Sequence, residues 1–88
     1  MYEIEDELHA ELQEGRFQTK VEAMAELRRR AAIPWDEPPN LAPCMSWHTC
    51  GRRYVLVEND HTSDPWKQLS RNAILDISAA GIRWLSNE

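Results

Sequence analysis

Between Ile33 and Tyr54 the chain reads IPWDEPPNLAPCMSWHTCGRRY, and its Cys44, His48 and Cys50, with His61 further on, are the side chains best suited to chemistry. Two thiolates and two imidazoles are a set that zinc accepts tetrahedrally. The spacing is Cys-x3-His-x-Cys-x10-His, which is not a recurring zinc arrangement, so no metal is expected. The bland reading is that both cysteines are small buried apolar groups. His48 and Cys50 also project to one side of an extended segment, as a thiolate–imidazole nucleophile requires. Such a pair still needs a third group and a cleft, and 88 residues leave little depth for one. No Gly-x-Ser-x-Gly, His-Glu-x-x-His or phosphate-loop pattern occurs. Neither a catalytic residue nor a cofactor is therefore expected.

Two local patterns resemble known modules. Thr49-Cys50-Gly51-Arg52-Arg53-Tyr54 resembles the second half of a zinc knuckle, where Cys-Gly leads into a strand. Met45, Ser46, Trp47 and His48 stand where its partner cysteine belongs. A zinc-binding module using the connector Cys and His residues is thus one alternative. Residues 8–30, LHAELQEGRFQTKVEAMAELRRR, resemble the helical part of the ribbon-helix-helix antitoxins. The shared features are an apolar helix, Gly15-Arg16-Phe17, a capping Thr19, Glu22-Ala23 and a basic helix end. That resemblance implies a helical hairpin suited to self-association, and hence a DNA-binding regulator acting as a dimer. Those antitoxins place a DNA-reading strand before the first helix, and here only Met1 and Tyr2 precede it.

The remaining candidate is a protein-binding surface made of Trp35, Asp36, Glu37, Trp47, Arg52 and Arg53. Ile33-Pro34-Trp35-Asp36-Glu37-Pro38-Pro39 sets an aromatic beside two acids in a stiff, extended frame. Tryptophan is a frequent interface anchor, and a preorganised frame lowers the entropic cost of binding. The competing reading is structural: a small domain folds its connector back and uses Trp35 and Trp47 as core.

The elements that position these residues are read from spacing. Ile4, Leu8 and Leu12 recur at i, i+4, i+8 and predict a helix over Glu3–Glu14 ended by Gly15. Thr19 with Glu22 forms a capping box for a second helix from Lys20 to about Ala32, ended by Pro34. A strand is expected over Arg52–Asn59, one helical turn from Pro65 to Leu69, and strands over Ala73–Ser78 and Ile82–Leu85. Ala79-Ala80-Gly81 fits a hairpin with glycine in the left-handed position. The expected architecture is α+β: an N-terminal α-hairpin (1–32), a proline-rich connector (33–51) and a three-stranded antiparallel β-sheet (52–88), in one domain.

Composition narrows the function. A net charge of −5 argues against nucleic acid as a default partner, since phosphate neutralisation supplies most non-specific affinity. No apolar run of about 20 residues is present to span a membrane. The acidic start MYEIEDEL is unlike a signal peptide and points to the cytoplasm, where thiols stay reduced. The reading that results is a small cytoplasmic protein-interaction module without catalytic activity. It would bind a larger protein, as inhibitors, antitoxins, immunity proteins and accessory subunits do, with a homodimer left open.

Overall fold

A computed structural model describes residues 1–41, 51–60, 62, 65 and 67–85. Its elements are β1 (Tyr2–Asp6), β2 (Glu11–Leu12), α1 (Lys20–Ala31), β3 (Arg52–Asp60), β4 (Lys67–Ser78) and β5 (Gly81–Trp84). The strands form one antiparallel five-stranded sheet in the order β2-β1-β3-β4-β5, with α1 packed on one face.

This corrects the expected α-hairpin and three-stranded sheet: residues 3–14 form β1, a turn and β2. The i, i+4, i+8 stripe is not a buried face, because Leu8 and Leu12 are both more than half exposed. The alternation that does operate puts Tyr2, Ile4 and Asp6 on the helix side of the sheet and Glu3 and Glu5 on the other face, where Glu3 is also buried, set by the pairing Ile4↔Leu56 and Asp6↔Tyr54. A carboxylate at an inward position hides that period from a local reading. Residues 8–30 therefore supply β2 and α1, not the helix pair that the antitoxin resemblance implies.

The second helix forms as its caps dictate. Thr19 is the N-cap and accepts from the Glu22 backbone N–H, and its hydroxyl donates back to the Glu22 carboxylate at 3.3 Å. Arg28, Arg29 and Arg30 occupy the last turn, where cations face the exposed carbonyls. The helix buries Ala23, Met24 and Leu27 against Ile4, Tyr54, Leu56, Ile74, Leu75 and Ile77. Both faces of β3 are buried, as its run of Tyr54, Val55, Leu56 and Val57 suggests.

β4 starts at Lys67, so a strand replaces the expected helical turn at its C-terminal end. Its register with β3 breaks at Ile74, between the pairs Tyr54↔Leu75 and Val55↔Ala73. That bulge brings Ile74 into the same core as Leu75 and Ile77, where strict alternation would send it to the other face. The β4–β5 turn forms as expected, with Gly81 at φ 118°. Gly51 serves packing: a Cβ there would stand 2.4 Å from the Ile77 carbonyl oxygen, so glycine lets the start of β3 lie close against β4. Gly51 of the half-knuckle pattern thus has a packing role of its own.

Candidate protein-docking surface

A single helix cannot cover five strands. At about 4.8 Å per strand the sheet is roughly 20 Å wide, and a helix covers about 10 Å. α1 lies over β1, β3 and β4, and β5 is left at the edge. On the helix side of β5, Ile82 pairs with Ile77 and Trp84 with Leu75. Ile77 and Leu75 are buried, whereas Ile82 and Trp84 remain 49% and 43% exposed.

Between this ledge and the helix end runs a groove of about 280 Å³. The end of α1 and the Ile33–Trp35 segment make one wall, and Ile77, Gly81 and Ile82 the other. Trp35 is half-buried, packed against the core on one side and lining the groove on the other. Its inner side thus serves the core, as the structural reading expects, and its outer side faces the groove. Asp36 and Glu37 follow it and are exposed.

The arginines have different fates. Arg53 stands on the face away from α1 and binds Asp76 across the strand pair with Nε–Oδ1 2.9 Å and Nη2–Oδ2 3.3 Å. On the same face Arg71 binds Glu5 across β3, with contacts of 2.8 and 3.2 Å. That guanidinium pulls the Glu5 carboxyl below the usual carboxylate range, against a smaller opposing effect of burial. Arg52 is buried and faces inward. Its Nη1 donates to Asp6 Oδ2 and Glu11 Oε1, both at 3.0 Å, and its Nη2 to the Leu41 carbonyl at 2.7 Å. Its Nε finds no partner. Of the six residues expected on a binding surface, only Trp35, Asp36 and Glu37 lie in one exposed stretch of chain, and Trp47 lies outside the described residues. Cys44, His48, Cys50 and His61 do so as well.

Spacing gave no sign of the polar network that joins β1, β2 and β3 to the end of α1 and the strap after it. Asp6 is fully buried and accepts four hydrogen bonds: from the Leu8 and Arg53 backbone N–H groups, His9 Nδ1 at 2.6 Å and Arg52 Nη1. Glu11 accepts from Gln13, whose Oε1 accepts from Arg30 at 2.8 Å. Arg30 also lies 5.0 Å from the Tyr54 ring centroid, a cation–π contact. Burial raises the Tyr54 phenol above its ordinary value, which keeps the hydroxyl a donor. It donates to Asn40 Oδ1 at 3.0 Å. Asn40 Nδ2 in turn donates to the Arg30 and Ile33 carbonyls at 2.8 and 2.9 Å. These bonds satisfy the helix C-terminus and pin the Ile33–Asn40 strap beside the sheet. The one sequence signal for this network was an acid on an inward position of a strand.

No protein family, curated protein or solved structure matches this chain. Among the described residues, no helix is long and apolar enough to cross a membrane, and no group of three His, Cys, Asp or Glu side chains is placed to hold a metal ion.

Proposed function

We propose that this chain is a small protein-interaction module with no catalytic activity of its own, which binds a larger protein through the Trp35–β5 ledge. One observation carries this: a contiguous apolar surface stays open at Ile82, Trp84 and the groove beside Trp35, while the core next to it is closed. Clustered apolar surface of this kind marks interaction sites, whereas single exposed apolar residues do not. The strap that carries Trp35 is pinned by Asn40, which preorganises that side of the groove.

Affinity capture from the source cell, with wild type and Ile82→Arg side by side, tests the reading. A specific partner is expected to be retained by wild type and lost by the variant. Retention of the same partner by both, or of nothing specific by either, would overturn it. Ile82 is the better probe than Trp35, because Trp35 also packs against the core and its removal would confuse binding with stability.

A further inference from the structure

We propose that β5 is the receiving edge for an extended, antiparallel strand of the partner, in which apolar residues flank an acidic one. This rests on the interaction-module reading above and names the partner's chemistry.

The backbone supplies the first argument. The Leu85 N–H donates to the Ile74 carbonyl at 2.7 Å, so Leu85 and Ile74 form a hydrogen-bonded pair. Antiparallel alternation then makes Arg83 and Asp76 the next such pair, with the register Asp76↔Arg83. The N–H and C=O groups of Ile82 and Trp84 consequently point away from β4, at an edge that no strand among the described residues covers. A strand laid there would form hydrogen-bonded pairs with Ile82 and Trp84. Its residue opposite Arg83 would fall in a non-hydrogen-bonded pair, where side chains approach most closely.

Side chains supply the second. Residues opposite Ile82 and Trp84 would share their helix-side face, beside the apolar groove, so apolar side chains suit those positions. Arg83 faces the other side and has no ion-pair partner among the described residues. Its cross-strand neighbour Asp76 has both oxygens bound by Arg53. An Asp or Glu on the added strand would meet this free guanidinium.

The same charge argues against a second copy of this chain as the occupant. Twofold antiparallel pairing of β5 that keeps the faces in phase sets Arg83 against Arg83, Gly81 or Leu85 of the other copy. No such register offers it an acid.

The test uses the full chain and two labelled peptides, Val-Thr-Val-Glu-Val-Thr-Val and its Lys-centred counterpart, read by fluorescence anisotropy at low salt. Wild type is expected to prefer the Glu peptide by about five-fold or more, the scale of a cross-strand charge pair. Non-specific attraction to a chain of net charge −5 would favour the Lys peptide instead. Arg83→Glu, checked for folding by circular dichroism, is expected to invert the preference. N-methylating the two valines beside the central Glu is expected to abolish binding. Absence of binding, equal binding of both peptides, or no inversion would overturn the proposal. So would a dimer that excludes both peptides, which would assign the edge to a second copy. If Ile82→Arg loses the cellular partner while no peptide binds, the docking surface stands and the strand mode falls.

Discussion

Asp6 is the residue on which the N-terminal half depends. It is fully buried, bridges the β1–β2 turn to β3, and is bound to a guanidinium 46 positions away in the chain. Removing one member of a buried pair leaves the other charge uncompensated, which is worse than never having built the pair. Asp6→Asn is therefore expected to cost about 3 kcal/mol in urea unfolding at neutral pH. Glu11 touches the same Arg52 nitrogen at the same 3.0 Å, but its side chain is 43% exposed. Water screens that contact, and Glu11→Gln is expected to cost well under about 1 kcal/mol. Equal losses in the two variants would show that burial does not separate these two carboxylates.

At the scale of elements, α1 is held by its ends. Glu26 accepts from Arg29 through both oxygens and from Arg30 Nε, each at 2.7 Å. The Arg29 hydrogen bonds foremost, with those of Arg30 and against the cost of burial, lower its carboxyl from 4.5 to about 2. A carboxylate with a depressed folded-state pKa stabilises above its unfolded value, and that contribution fades as pH falls through the folded one. The stability gap between wild type and Glu26→Gln is therefore expected to be full above about pH 5 and to close between about pH 4.5 and 2. Chemical denaturation at pH 6, 4, 3 and 2 reads it. A gap that stays constant across those values would contradict the assignment.

This helix was also the most legible element, because its signals are local: a cap, a capping box and a proline beyond the end. The aliphatic run of β3 and the Gly81 turn were legible for the same reason. β1 and β2 were not, because β1 takes its strand state from pairing with residues 54–58, β2 takes its own from β1, and the ion pair that ties Asp6 to Arg52 lies outside any local window. The bulge at Ile74 is likewise a product of register. At the candidate site, Trp35 was visible as an aromatic in a proline frame. β5 became part of the surface only when the sheet order left it uncovered.

For the whole molecule, the decisive fact is the mismatch between one helix and five strands. Among the apolar side chains on the helix side of the sheet, it separates those sealed between α1 and the central strands from those on the β5 ledge. The two groups should differ sharply in how much stability a substitution costs. Leu27, fully buried on the sheet-facing side of α1, leaves a cavity when truncated, and Leu27→Ala is expected to cost about 3 kcal/mol. Ile82, on a paired strand but with half its side chain in water, has no such enclosure. Ile82→Arg is expected to stay within about 1 kcal/mol of wild type, since a long cationic side chain can lay its stem along the ledge and keep its head in water. Urea melts of the two variants check this directly. If Ile82→Arg unfolds the chain as Leu27→Ala does, then the ledge is part of the core, and the open surface on which partner docking depends does not exist.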